Sequence, residues 1–196
     1  MDSIATENAK SRWTAEQVSK GEAAITGDVE SPFSITDDGL ADLRGLVVKR
    51  LLKHAKVSSV DLSGAEFVGF AQFSACEVQN TRLRSALLNT NLGRSFRSCD
   101  FSSANLIRAV LRGEFTDCDF TKANLASAMG SEVRFIRCVF VQTNFNKSHL
   151  LHATFEDCRF QDCKYKNGSF AYSRFIRSPM EHENLGNTIM DKVAVM

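Results

Sequence analysis

The sequence predicts an all-β fold wound as a four-sided coil, and three observations carry that expectation. First, an aromatic residue or a leucine stands at every fifth position over nine consecutive places: Phe135, Phe140, Phe145, Leu150, Phe155, Phe160, Tyr165, Phe170 and Phe175. Second, a small or compact residue stands two positions before each one: Val133, Cys138, Thr143, Ser148, Ala153, Cys158, Cys163, Gly168 and Ser173. Third, grouping the units in fours sorts the aromatics from the leucines. Phe115, Phe135, Phe155 and Phe175 fall in one column, and Phe101, Phe120, Phe140 and Phe160 in the next. The third column reads Leu106, Leu125, Phe145, Tyr165, and the fourth Leu111, Gly130, Leu150, Phe170. A period of five fits neither the 3.6 of a helix nor the 2 of a strand, so each unit joins a short extended piece to a turn.

Composition bounds the rest. The chain has 196 residues, 43% of them hydrophobic, with 15 Phe but only 2 Tyr, 1 Trp and 2 Pro. That suffices for one domain with a real core. A net charge of +1 excludes nucleic-acid binding driven by bulk charge, and no apolar run reaches the roughly 20 residues of a membrane span. Met1 to Glu30 lack the basic start, apolar middle and cleavage site of a secretory signal. The expected compartment is therefore the cytoplasm, with six reduced cysteines.

Taken in chain order, residues 1–40 read as a head. Thr14-Ala15-Glu16-Gln17 is a capping-box pattern that predicts a short helix through about Ala24, with Trp13 as an anchor before the cap. Residues 41–59 read as a degenerate first coil or a capping helix. The coil is favoured because Ala41-Asp42-Leu43 and Val60-Asp61-Leu62 lie nineteen residues apart. Residues 60–175 carry the repeat. Its spacing departs from five between Phe67 and Phe73, from Leu88 to Leu92 to Phe96, and from Leu111 to Phe115, which marks bulges or tightened corners. Gly130 takes a central place with no side chain, so a hole or an inward turn of Met129 is expected there. Residues 176–196 read as a C-terminal cap or a dimerisation tail, since an open coil end exposes unpaired backbone.

The units Ala41-Asp42-Leu43-Arg44-Gly45, Val60-Asp61-Leu62-Ser63-Gly64, Ala104-Asn105-Leu106 and Ala123-Asn124-Leu125 resemble the pentapeptide-repeat family, whose unit is Ala-(Asp/Asn)-Leu-x-x. The resemblance implies a right-handed quadrilateral β-helix, one coil per four units, with the central and the small residues pointing inward. About six coils at roughly 4.8 Å spacing would give a rod near 30 Å long.

Little in the pattern points to catalysis. Cys76, Cys99, Cys118, Cys138, Cys158 and Cys163 all take the small position, and four of them stack in one column. A column sets sulfurs along a line, whereas tetrahedral zinc needs them to converge, so the cysteines read as compact buried hydrophobes. His149 and His152 form a close outward pair with only Glu132 one coil away, which reads as a solvated face. Asn105, Asn124 and Asn144 form an outward row before Lys164, read as a side-chain amide ladder. There is no phosphate loop and no nucleophile-base set. No catalytic residue, metal or cofactor is expected.

The fourth side is expected to differ. Val110, Met129 and His149 follow one outward row, Leu151 and Ala171 another, with His152 and Tyr172 beside them, a partly apolar strip that is a candidate partner surface. The resemblance also implies a sharper role, since quinolone-resistance members are rods that imitate DNA and bind a type II topoisomerase. Mimicry needs a carboxylate-rich surface. Residues 60–175 hold 14 Lys+Arg against 11 Asp+Glu, which disfavours it. The expected function is a non-catalytic scaffold for another protein, of no stated identity. Topoisomerase (DNA gyrase) protection, a secreted bacterial effector and a homodimer through the tail stand as alternatives.

Overall fold

The computed structural model describes residues 9–69, 71–88, 90–180 and 187–195. Within each unit the central side chain points inward and the residue two positions after it takes a left-handed backbone. Arg137, Gln142, Lys147, His152, Asp157 and Asp162 have φ between 51° and 59°. That conformation turns the chain through a corner, and four corners close one turn of the coil. For an L-residue the left-handed region costs roughly 1–2 kcal/mol. It persists here because the peptides on either side of each corner hydrogen-bond to the turns above and below, as in Arg137 N–H to Glu156 O and Gln142 N–H to Gln161 O, both 2.8 Å.

The extended pieces stack in parallel and in register. On the Phe115 face the strands Glu114–Thr116, Arg134–Ile136, Thr154–Glu156 and Arg174–Ile176 pair with Phe115, Phe135, Phe155 and Phe175 aligned. The Phe120 face pairs Asp119, Val139 and Arg159. The Leu125 face pairs Asn105, Asn124, Asn144 and Lys164. The Leu150 face holds Val110–Leu111, Met129–Ser131 and His149–Leu151. The β-solenoid makes about seven turns. Residues 41–59 add one to those of the repeat region: Ala41–Asp42, Val47–Val48, Leu51–Lys53 and Lys56–Ser58 are strands, each paired in parallel with the following turn.

Inside, the rings stack at the rise of the coil. Successive rings from Phe96 through Phe175 lie 4.6–5.2 Å apart and nearly parallel. The neighbouring column from Phe101 to Phe160 repeats at 4.8–5.1 Å. The columns meet edge to face, Phe135 on Phe140 at 5.3 Å and 81°. Each buried Phe contributes about 1.5–3 kcal/mol through removal from water, plus its aromatic contacts.

The short spacings have a local cause. At Leu92–Phe96 and Leu111–Phe115 the small inward residue is missing, so Arg94 and Gly113 occupy the corner directly, with φ of 87° and 78°. The strand Asn91–Arg97 then pairs with Gln72–Gln79, which keeps the five-residue step and holds Cys76 inward, so the register shifts between Phe73 and Cys76. Gly130 behaves differently from the expectation. It sits in a regular strand, Met129 stays outward with 49% exposure, and a β-carbon at Gly130 would meet Leu150 at 3.1 Å and Val133 at 3.2 Å. Those neighbours close over the missing side chain, so no inward rotation of Met129 is needed.

The helix Ala15–Ala24 covers the N-terminal end. Thr14 caps it, with the reciprocal bonds Gln17 N–H to Thr14 Oγ1 and Thr14 N–H to Gln17 Oε1. The Trp13 ring donates Nε1–H to Arg44 O and meets Phe33 edge-on at 4.8 Å. Arg12 stacks 3.8 Å over Phe33 and holds both carboxylate oxygens of Asp42. At the other end the coil outlasts Phe175. Ile189 pairs with Ser169, and Ala194 and Val195 pair with Arg174 and Phe175, so residues 187–195 form a further partial turn.

Candidate functional site

The Leu150 face presents two outward rows flanking its inward centre. One runs Asn91, Val110, Met129, His149, Ser169, Ile189, each paired to the next. Arg112, Ser131 and Leu151 belong to the other, with Ser131 opposite Leu151. Between them lies a shallow groove of about 640 Å³, lined by Val110, Met129, His149 and Leu151 with Arg112 and Ser131. Met129 is 49% exposed, Leu151 36% and Ile189 55%. Ile189 extends the candidate row although the spacing before it is broken. The signal for it was available, since it lies forty residues, or two coils, beyond His149.

One candidate needs correcting. Ala171 is buried at 8% exposure, because the partial turn stacks on the segment that holds it: Phe170 N–H bonds Ile189 O and Tyr172 N–H bonds Asp191 O, both 2.9 Å. A single methyl group does not reach past that contact. Val110 is half-buried, while His149, His152 and Tyr172 are exposed. His152 and Tyr172 occupy successive corner positions and stack at 4.9 Å and 14°, with Lys192 Nζ 5.1 Å from the Tyr172 ring. Left-handed corners one above another thus build an outward ladder of side chains along the edge of this face.

The other faces are occupied by their own interactions. On and beside the Phe115 face, Asp117 pairs with Arg137 at 2.7 Å and Asp157 with Arg177 at 2.6 Å, and Glu114 and Glu156 are shared among Arg97, Arg134 and Arg177. The arginine hydrogen bonds lower the pKa of Asp117 and Asp157. On the Phe120 face Asp100 pairs with Arg84. On the Leu125 face Asn144 Nδ2–H donates to Asn124 Oδ1 at 3.0 Å, one rung of an amide ladder.

The cysteines are all free and buried. Burial pushes the Cys76, Cys118 and Cys163 thiols up, and Cys163 donates Sγ–H to Phe140 O at 3.1 Å. Thr143 and Ser173 make the same bond with hydroxyls, to Phe120 O and Leu150 O. At these places the small residue donates to a backbone carbonyl of the preceding turn, a task that a thiol or a hydroxyl performs alike. Among the described residues no group of three or more His, Cys, Asp and Glu could hold a metal ion. Among them, too, no helix is long and apolar enough to cross a membrane.

Residues 112–190 match the family model described as the pentapeptide repeat region. The chain carries a pentapeptide-repeat region. A solved structure of trypsin-treated QnrB1, a plasmid-mediated fluoroquinolone resistance protein, superposes with a TM-score of 0.53 at 14% identity, covering 74% of this chain and 78% of that one. HetL, a pentapeptide-repeat protein involved in heterocyst differentiation regulation from the cyanobacterium Nostoc sp. strain PCC 7120, aligns at 15% identity and TM-score 0.37, covering 73% and 86%. No curated protein sequence matches. At these identities the QnrB1 likeness is one of fold. The Asp/Asn of the pentapeptide repeat has a visible task here: its carboxylate or amide oxygen accepts the N–H two residues on, as in Asp119 with Thr121 at 2.8 Å and Asn144 with Asn146 at 3.0 Å. This fastens the outward end of each unit before the corner.

Proposed function

We propose that this pentapeptide-repeat chain is a non-catalytic scaffold that presents its Leu150 face to another protein. The observation that carries the reading is the gathering of Met129, Leu151, Ile189 and Tyr172, all exposed, on one face and its edge. On the Phe115 face, by contrast, the carboxylates of Asp117, Asp157, Glu114 and Glu156 are paired with arginines, and on the Leu125 face Asn144 is bonded to Asn124. Met and Tyr are enriched at protein interfaces, and a rigid coil holds them without a folding cost on binding. Six buried free thiols suit a reducing compartment such as the cytoplasm. The test is affinity capture with the full-length protein, its Leu151→Asp variant and an Arg159→Asp control on the Phe120 face. A protein retained by wild type and control but lost by Leu151→Asp supports the reading. Equal retention by all three removes it.

The surface offers little support for DNA mimicry, since the carboxylates of the Phe115 face are neutralised by Arg97, Arg134, Arg137 and Arg177. A gyrase supercoiling assay with and without a fluoroquinolone, at two salt concentrations, separates the readings. Salt-sensitive protection at low micromolar protein would favour topoisomerase binding instead. Val195, 68% exposed on the last partial turn, favours a second copy at that end, which sedimentation over a concentration series would report.

A further inference from the structure

We propose that the partner element taken by the Leu150 face is an acidic amphipathic helix. This deepens the scaffold reading and rests on it. Three observations converge. The hollow lined by Val110, Met129, His149 and Leu151 crosses three successive turns of the coil along its axis. An occupant must therefore be elongated and lie along the axis.

The repeat of the groove suits a helix. Successive turns are spaced at the 4.6–5.2 Å of the ring stacks, and an α-helix brings its i, i+3/i+4, i+7 face round every 5.4 Å. Over three turns the two periods drift apart by only about 2 Å. An apolar stripe can then set one side chain against Val110, one against Met129 and one against Leu151. A strand laid along the same axis would place a side chain on the groove about every 6.6 Å and fall out of step sooner.

The rim sets the charge of the occupant. Arg108, Arg112 and Lys147 are exposed and make no ion pair among the described residues, in contrast to the paired arginines of the Phe115 face. His149 adds a further donor. Among the described residues, Glu132 and Asp191 are the acids beside this face, fewer than the cations. Unpaired cations flanking an apolar groove attract carboxylates flanking an apolar stripe, and the attraction is screened by salt.

The test uses a yeast-displayed library of helical peptides with a fixed Leu/Phe stripe and Glu, Lys or Ser randomised at the flanking positions. It is selected on the folded full-length protein. Enriched clones should carry Glu over Lys and weaken as salt rises from 50 to 300 mM. They should lose about tenfold in affinity on Leu151→Asp and again on Arg112→Glu with Lys147→Glu. Circular dichroism and melting of each variant separate lost binding from lost folding, and the salt titration on wild type reads the charge without any variant. Clones that depend on Leu151 yet show no Glu bias or no salt dependence would overturn the acidic helix and leave the partner face standing. A selection yielding no clone sensitive to Leu151→Asp would overturn both.

Discussion

Gly113 passes so close to Arg94 that a β-carbon built on it would stand 2.2 Å from the Arg94 carbonyl oxygen. Both residues are left-handed corners of shortened units, one turn apart. The chain can afford the four-residue step only where the upper corner has no side chain. Gly113→Ala should therefore cost more than the roughly 1–2 kcal/mol of the left-handed backbone alone, because backbone must move. Gly39→Ala is the matched comparison, with φ of +82° and nothing within 4 Å. Urea unfolding should show the Gly113 variant clearly the less stable, and equal losses would refute the close approach.

Phe140 sits between Phe120 at 5.1 Å and Phe160 at 5.0 Å, with no exposed surface. Phe140→Asp places an unpaired charge in that stack and should abolish the folded state. Phe140→Leu keeps an apolar filling and should cost about 1–3 kcal/mol. Thermal melts of both variants check this. If the Asp variant melted like wild type, the stack would not be the core.

Arg12 and Asp42 join the head to the first turn of the coil. Burial alone would raise the Asp42 carboxyl, but the hydrogen bonds from Arg12 and Arg44 outweigh it and hold the group well below the usual range. A carboxyl depressed in the folded state contributes stability that is fully present above its unfolded pKa of about 3.9 and fades as pH falls below that value. Melting should therefore be insensitive to this pair between pH 7 and 5 and should drop below about pH 4. Asp42→Asn should be less stable at neutral pH and show a smaller drop in acid. An identical acid profile in the variant would show that the pair does not secure the head.

The Asp119 carboxylate accepts Thr121 N–H at 2.8 Å. Asp119→Asn retains an acceptor oxygen and should change stability by less than about 0.5 kcal/mol, whereas Asp119→Ala loses the bond and should cost about 1 kcal/mol. Chemical denaturation distinguishes the two. Equal effects would mean that the oxygen is not what the position requires.

Much of the fold was legible because a coil repeats its physics in the sequence. Nearly every unit meets the same demands, a large apolar residue in the centre and a small residue two before it, so Phe135 and Cys138 belong to series that can be counted. The site was less legible. The outward rows carry no packing rule, and Ala171 and Leu151 looked alike on spacing, yet the partial turn after Phe175 covers one and leaves the other open. Ile189 keeps the twenty-residue step from Ser169, but the five-residue rhythm between them is broken, so only the fold shows that the pairing resumes.

The sequence by itself therefore determined the four-sided coil and the inward places of its rings, since a period of five grouped in fours admits few other ways to bury the columns of phenylalanine. Tertiary structure decided which charges neutralise each other, how Leu150 and Val133 close over Gly130, and how the last residues extend the Leu150 face. Those outcomes depend on contacts between residues about twenty positions apart whose side chains face solvent or an empty place in the core. There the energy differences are small, and the order of residues along the chain does not reveal which contact prevails.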